Sequence, residues 1–146
     1  MTGICHAAGN TMVLVSATVL SKSNCKFNAA TAALNFGNLD PATPVDKTVT
    51  TSITFVCNGS AANATFSITD NDGLYETGPN ANRMLNTTFP TPPKYLPYSL
   101  TYNPQTSTVP KGVNQTLTIS GTVLGVDYQD AYVGSYSDTV VLTIAP

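Results

Sequence analysis

The most regular pattern along the chain is an alternation of apolar and hydroxyl side chains, which is typical of half-buried β-strands. It is clearest in residues 49–57 and 115–123, and it recurs in residues 64–69 and 136–144. The side chains predicted to point inward from the first two strands are Thr51, Ile53, Phe55 and Cys57, and Leu117, Ile119, Gly121 and Val123.

Weaker signals complete the predicted architecture. Leu34 and Phe36 predict a short strand, and residues 95–102 predict a strand whose beginning Pro97 moves toward a sheet edge or a bulge. No helical periodicity of useful length is present. Together the elements predict a two-sheet antiparallel sandwich of roughly six or seven strands. The predicted breaks, turns and loops are residues 21–25, 40–44, 70–73, 74–94, 103–114 and 125–134.

Residues 11–20 are the longest nearly uncharged run rich in β-branched side chains, and they precede the sandwich. We expect this strand to be donated to a partner, although its last residues could instead begin the domain's own first strand. Burial of three of its valines would contribute roughly 5–8 kcal/mol. The face predicted to be buried is continuously apolar and consists of Val13, Val15, Ala17 and Val19.

The charge content excludes some functions. Only 10% of the residues are charged, and the 6 lysines and arginines are scattered along the sequence. Nucleic-acid binding is therefore not expected, because it requires clustered cations. No apolar run approaches the length of about 18 residues that a membrane-spanning helix needs.

The three cysteines, Cys5, Cys25 and Cys57, indicate an exported protein with one disulfide. The last two lack the closely paired ligands of a metal site, so a disulfide between two strand ends is predicted. Small residues at positions −3 and −1 before Ala8 resemble a signal-peptidase site. Residues 1–7 are thus the predicted remainder of a signal peptide, and an ordinary N-terminus with a spare thiol is the alternative.

Few side chains could carry catalytic chemistry. His6 is the sole histidine and lies in the predicted leader, which removes Ser-His-Asp and Cys-His arrangements from the mature chain. Asp127, Asp130 and Asp138 could supply a carboxylate pair for glycoside cleavage, but we expect them in a solvated loop and at a strand start. Residues 70–73 predict a hairpin turn and not a calcium loop. No enzymatic activity, cofactor or metal is predicted.

The motifs of the predicted sandwich follow one another in an order that resembles a known family. The resemblance is to the spore coat protein U domain, which includes the pilin subunits of archaic chaperone–usher pili, and it covers about residues 9–146. The motifs that carry it are Cys25, Leu34-Asn35-Phe36-Gly37, Ile53-Thr54-Phe55-Val56-Cys57, Arg83-Met84, Tyr98-Ser99-Leu100-Thr101-Tyr102, Gly121 and the closing segment from Gly134 to Ile144.

The resemblance implies an all-β fold: an incomplete immunoglobulin-like antiparallel sandwich that lacks its last strand and is completed by strand donation. Residues 8–20 would then be the donor running into the first strand, and residues 21–146 the sandwich. A periplasmic chaperone would fill the vacancy first, and the N-terminal segment of the next subunit would replace it. The end of the chain shortly after residue 144 agrees with this expectation. The implied acceptor groove consists of Phe55, Leu117, Ile119, Val140, Leu142 and Ile144.

The expected function is that of a structural subunit of an extracellular pilus, which serves adhesion or biofilm formation. The subunit would form a homopolymer and would leave the cell through the periplasm with the help of a chaperone and an outer-membrane usher. Three alternatives stay open: a spore or cyst coat protein, a tip subunit that binds a glycan or another surface receptor, and a chain that inserts residues 11–20 into its own groove. The tyrosines could line a sugar-binding surface or belong to the core.

Overall fold

Residues 11–146 are described by the structure, a computed structural model, and nearly all of their regular structure is antiparallel β-sheet. The predicted all-β class is confirmed. The predicted leader, with Cys5 and His6, lies outside the described residues. The strands are β1 (Ser23–Phe27), β2 (Lys47–Gly59), β3 (Asn63–Asp70), β4 (Arg83–Asn86), β5 (Tyr95–Pro97), β6 (Ser99–Asn103), β7 (Thr106–Pro110), β8 (Gln115–Val123), β9 (Tyr136–Ser137) and β10 (Leu142–Ala145), and a short helix, α1 (Gly125–Tyr128), follows β8.

Two sheets share the main core. One has the strand order β1-β2-β8-β6 and the other has the order β10-β3-β7. Phe55 of β2 and Phe66 of β3 meet between them with ring centroids 4.7 Å apart, and both side chains are buried. Inward side chains of β7 and β8 complete this core, as expected for a sandwich.

A third, smaller sheet of order β5-β4-β9 has a core of its own. Met84 and Leu96 from this sheet pack with Val123 of β8 and Tyr128 of α1. The Tyr128 hydroxyl donates to the Val45 carbonyl and accepts from the Val45 N–H, each at 2.8 Å. These two hydrogen bonds fix α1 to the connection between β1 and β2.

The clearest alternating runs of the sequence form strands. β2 and β8 pair from Lys47 opposite Val123 to Phe55 opposite Gln115. Their outward threonines and serines bond to each other across the strands; the hydroxyl oxygens of Thr50 and Ser120, for example, are 2.9 Å apart. β3 alternates between buried and exposed side chains in the same way. The apolar and hydroxyl faces of these strands are therefore those that the sequence predicts.

The predicted polar break at residues 21–25 is wrong in its second part, because Ser23–Phe27 forms β1. β1 pairs with β2 along its whole length. Tertiary pairing with a strongly patterned neighbour here overrides the polar composition of the segment.

Two further strands differ from prediction. The residues around Leu34 and Phe36 contain no strand, and no described strand pairs with them. Residues 95–102 form two strands, since β5 and β6 belong to different sheets. The predicted edge position at Pro97 is confirmed, because β5 is an edge strand and proline lacks the N–H that an inner strand needs.

The last predicted strand, residues 136–144, is also divided. β9 pairs with β4 and β10 pairs with β3, while residues 138–141 between them belong to no strand. Three predicted loops contain short regular elements, namely β4 in residues 74–94, β7 in residues 103–114 and α1 in residues 125–134.

The predicted hairpin at residues 70–73 is wrong, because β3 pairs with β7 and β10 and not with the strand that follows it. The side chains of Asp70 and Asn71 accept hydrogen bonds from the N–H groups of Asp72 and Gly73. These Asx turns shape a loop that leads into the third sheet.

Candidate binding groove

A groove of about 470 Å³ opens beside the main core. Inward side chains of the four-stranded sheet, among them Ile53, Leu100 and Ile119, form its floor. Residues 29–36 form one wall and residues 136–142 form the other. Most of the lining side chains are apolar, so the groove suits an apolar occupant.

The backbone of the first wall has no partner within the described chain. The N–H of Asn28, just before the wall, donates to the Thr54 carbonyl at 2.9 Å. Beyond Asn28, no backbone hydrogen bond joins residues 29–36 to another part of residues 11–146. Residues 29–33 are exposed. The wall therefore presents free N–H and C=O groups along its length.

Leu34 and Phe36 attach the end of this wall to β8. A Cβ atom on Gly121 would lie 2.9 Å from Cζ of Phe36 and 3.1 Å from Cδ1 of Leu34. Phe36 also packs against Tyr98, with ring centroids 6.4 Å apart. The absence of a side chain at Gly121 thus sets how closely the wall approaches the sheet.

The second wall is paired on one side only. Asn71 donates its N–H to the Val141 carbonyl at 3.2 Å, and its side-chain oxygen accepts the Val141 N–H at 2.9 Å. Beyond Val141, β10 pairs with β3 and is otherwise an edge strand among the described residues. Its free edge offers the backbone groups with which an added strand could pair.

Asp138 fixes the start of the second wall. Its carboxylate accepts hydrogen bonds from the Tyr98 hydroxyl at 2.7 Å, the Leu74 N–H at 2.9 Å and the Thr139 N–H at 2.8 Å. Burial, and then the hydrogen bond to Asp138, raise the pKa of Tyr98 well above its ordinary value. The Tyr98 hydroxyl therefore stays protonated and donates, and the carboxylate of Asp138 serves as a structural acceptor.

Residues predicted for the acceptor site occupy two different layers. Ile119, Val140 and Leu142 line the groove. Phe55 and Leu117 lie fully buried in the core beneath it, and Ile144 packs against that core. The acceptor site predicted from the sequence omits several residues that line the groove. Leu34 and Phe36 are omitted because their alternation suggests a paired strand instead of a free wall. The omitted residues are Phe27, Leu34, Phe36, Ile53, Met84, Tyr98 and Leu100.

The residues predicted to act as donor lie in the open. Val13, Val15 and Val19 are 79%, 86% and 95% exposed, and the alanine between them is exposed as well. Residues 11–20 form no strand, and the first strand begins only at Ser23. The chain thus carries an exposed apolar segment and an open apolar groove at the same time.

A disulfide joins Cys25 of β1 to Cys57 of β2, as predicted. The two residues lie directly opposite each other in the ladder, and both are buried. Because β1 leads straight into the first wall of the groove, this bond ties the base of that wall to the core.

The remaining carboxylates that could carry chemistry lie apart from the groove. Asp127 on α1 and Asp130 just after it line a second, shallower pocket with tyrosine side chains. Within residues 11–146, no group of three or more side chains is placed to hold a metal ion. The carboxylate of Asp138 accepts the three hydrogen bonds described above.

Comparison with known proteins agrees with this architecture. No curated protein matches the chain. None of the helices in the described part of the chain could span a membrane. Residues 10–143 match the Spore Coat Protein U domain. Members of this family are structural components of surface coats and chaperone–usher pili, and the family is not one of enzymes. Because the match covers nearly the whole chain, including both walls of the groove, the protein belongs to the Spore Coat Protein U domain family.

Proposed function

We propose that the protein is the subunit of an extracellular fibre and that it polymerises by donating residues 11–20 to the groove of the next subunit. The observation that carries this proposal is the coexistence, in one chain, of an exposed apolar segment and an apolar groove with two open backbone edges. Neither feature is stable against aggregation by itself, and each satisfies the other.

The chemistry of the two features is complementary. An inserted strand would bond to the first wall on one side and to the edge that β10 and residues 138–141 leave open on the other. Each backbone hydrogen bond would contribute about 0.5–1.5 kcal/mol, and burial of Val13, Val15 and Ala17 against the floor would add the larger apolar term. Val19 lies closest to the start of β1, and we expect it to stay with its own domain.

The assembly partners follow from the same open groove. A subunit with an unfilled groove needs protection before it meets the next copy, which a periplasmic chaperone would give by strand addition. An outer-membrane usher would then exchange the chaperone for the N-terminal segment of the incoming subunit. The fibre would lie at the cell surface and would serve adhesion or biofilm formation.

A cysteine cross-linking experiment tests strand donation between copies. Two variants, Val15→Cys and Val140→Cys, are co-expressed with the assembly machinery, and their extracts are run on non-reducing gels. We expect a disulfide-linked dimer that contains one copy of each variant. In the matched control, Val140→Cys is replaced by Thr48→Cys on the exposed outer face of β2, and no dimer should form.

The same gels separate donation from self-insertion. In a chain that carries both Val15→Cys and Val140→Cys, self-insertion gives a cross-linked monomer and donation gives a ladder of multimers. A cross-linked monomer, without mixed dimers from the two single variants, would overturn the proposal.

The name of the matched family supports a second candidate function, that of a coat protein on a spore or cyst. The same strand exchange could build a shell instead of a fibre. Electron microscopy of the native cell surface distinguishes the two assemblies, and filaments are the expected result.

A further inference from the structure

A second concave site lies on the smaller sheet and α1. This pocket has a volume of about 350 Å³ and is lined by Lys94, Tyr95, Asp127, Asp130, Ala131, Tyr132 and Tyr136. Its size is near the lower end of small-molecule sites, which span about 300–1,000 Å³, and it therefore suits a single ring. Tyr136 also lines the groove, but the other six residues do not.

Two of the tyrosines that line this pocket are held in place by contacts with other side chains. The guanidinium carbon of Arg83 lies 3.9 Å from the centre of the Tyr95 ring, and Arg83 Nε donates to the Tyr75 carbonyl at 2.7 Å. Phe89 packs edge-on against the Tyr132 ring, with centroids 5.3 Å apart. Rigid aromatic faces reduce the entropy that a ligand must overcome on binding.

The backbone that carries the pocket is fixed as well. The Tyr136 hydroxyl donates to the Tyr132 carbonyl at 2.6 Å. The Gly125 N–H at the start of α1 donates to the Asp46 carboxylate at 2.9 Å, and Tyr128 anchors the same helix to Val45. These contacts hold Asp127 and Asp130 at the pocket without using their carboxylates.

The carboxylates of Asp127 and Asp130 differ from those of the other aspartates. Asp40, Asp46, Asp70, Asp72 and Asp138 all accept hydrogen bonds with their side chains. By contrast, no side-chain hydrogen bond within the described residues involves Asp127 or Asp130, which line this pocket. The pocket therefore combines aromatic faces with uncommitted acceptors and one donor.

We propose that this pocket binds a pyranose sugar that carries no negative charge. The apolar C–H face of a pyranose packs on a tyrosine ring, and its ring of hydroxyl groups needs acceptors and donors at the edge. Asp127 and Asp130 would accept from neighbouring hydroxyls, and the Lys94 ammonium would donate to a sugar oxygen. Two carboxylates against one ammonium disfavour a uronic or sialic acid.

A basic peptide is the other class of ligand with affinity for aromatic rings and carboxylates. The sugar is favoured because the Lys94 ammonium lies 5.8 Å from the centre of the Tyr132 ring, where it opposes the entry of a second cation. The site is independent of strand donation, since Tyr132, Asp127 and Asp130 lie outside the groove.

Saturation-transfer NMR and calorimetry on the full chain test this assignment. The probes are methyl galactoside, N-acetylglucosamine, N-acetylneuraminic acid and Nα-acetyl-lysine amide, whose side-chain ammonium stays free. We expect binding of the first two and none of the last two. Asp127→Asn and Asp130→Asn keep the side-chain shape and should each weaken sugar binding about tenfold, as expected for the loss of a charge-assisted hydrogen bond.

Glu76→Gln is the matched control, because it removes a carboxylate that is exposed and outside the pocket. It should leave sugar affinity unchanged. The proposal fails if neither neutral sugar binds, if Nα-acetyl-lysine amide binds in their place, or if Glu76→Gln lowers affinity as much as the two pocket variants do. Multimer formation should be unchanged in all three variants, so failure here leaves strand donation standing.

Discussion

Gly121 lacks the side chain that Leu117, Ile119 and Val123 carry at the other inward positions of β8. The space is filled by Leu34 and Phe36, which belong to a segment with no strand pairing of its own. The close contact that the absent side chain permits therefore positions the first wall, which forms no row of backbone hydrogen bonds. At the scale of the residue, the position of the first wall depends on this contact.

Gly121→Ala should lower the free energy of unfolding by about 1–3 kcal/mol, because the new methyl group forces the Phe36 ring away from β8. This cost exceeds the roughly 0.5–1 kcal/mol that replacement of a strand glycine gains. Urea unfolding gives the comparison, with Thr118→Ala on the exposed face of the same strand as the control. A second substitution, Phe36→Leu, should recover part of the loss. Equal stability of Gly121→Ala and Thr118→Ala would contradict this account.

At the scale of the element, β1 is the strand on which the first wall depends. It is an edge strand that pairs only with β2 among the described residues, and its sequence, Ser-Asn-Cys-Lys-Phe, has little strand propensity. The disulfide between Cys25 and Cys57 compensates for that weak propensity. The bond closes a loop between residues 32 positions apart, which includes the whole first wall.

Removal of this disulfide by Cys25→Ala and Cys57→Ala together should destabilise the subunit by about 3–4 kcal/mol, through the added entropy of the unfolded chain. Hydrogen exchange should rise in β1 and in residues 28–36 more than in β3. The measurements are urea unfolding and exchange mass spectrometry, with the oxidised wild-type protein as the reference and the reduced wild-type protein as the control for the loss of the two sulfur atoms. Uniform exchange across β1 and β3 would show that the bond does not hold the wall selectively.

The strands that sequence predicts well are the long ones with two neighbours. β2 pairs with β1 and β8, and β8 pairs with β2 and β6. Along most of each strand, successive side chains therefore alternate between the more buried and the more exposed face. β4, β7 and β9 are short or lie in loops rich in proline and asparagine, and their pairing depends on distant partners. Residues 34–36 alternate as a strand does but form no ladder, and local pattern cannot distinguish a paired strand from an extended segment without a partner.

The candidate site was predictable to a similar degree. The apolar run at residues 11–20 and the inward face of the closing segment are visible as alternation, and the disulfide follows from cysteine spacing. Phe55 and Leu117 lie in the core, whereas Ile119 also lines the groove, because the residues lie at different depths. Depth depends on how much of the inward face the second sheet covers along the strands, and this is a tertiary property.

At the scale of the whole molecule, the proposed assembly would join two separate features of the chain, the exposed apolar segment of residues 11–20 and the open groove of another copy. Removal of the subunit's own donor should leave a protein that gains stability from a peptide with the sequence of residues 11–20. A ligand present at about 100 times its dissociation constant stabilises by about 2.7 kcal/mol, which corresponds to a few degrees in Tm. Differential scanning fluorimetry on a chain lacking residues 1–20 measures this shift.

The control peptide carries Val15→Asp, which places a charge on the face predicted to be buried. It should leave Tm unchanged. Equal Tm shifts with both peptides would indicate that the groove does not bind the valine face specifically.

The two open edges of the groove have a mechanical consequence under the proposed assembly. A donated strand would be hydrogen-bonded along both sides and would run roughly along the line that joins successive subunits. Tension on the fibre would then load these bonds in shear, so that many must break together, and not one after another as in a peeled hairpin. The rate at which subunits are lost under force would be governed by this collective barrier. Fluid flow strong enough to break a contact that opens by peeling would therefore leave the fibre intact.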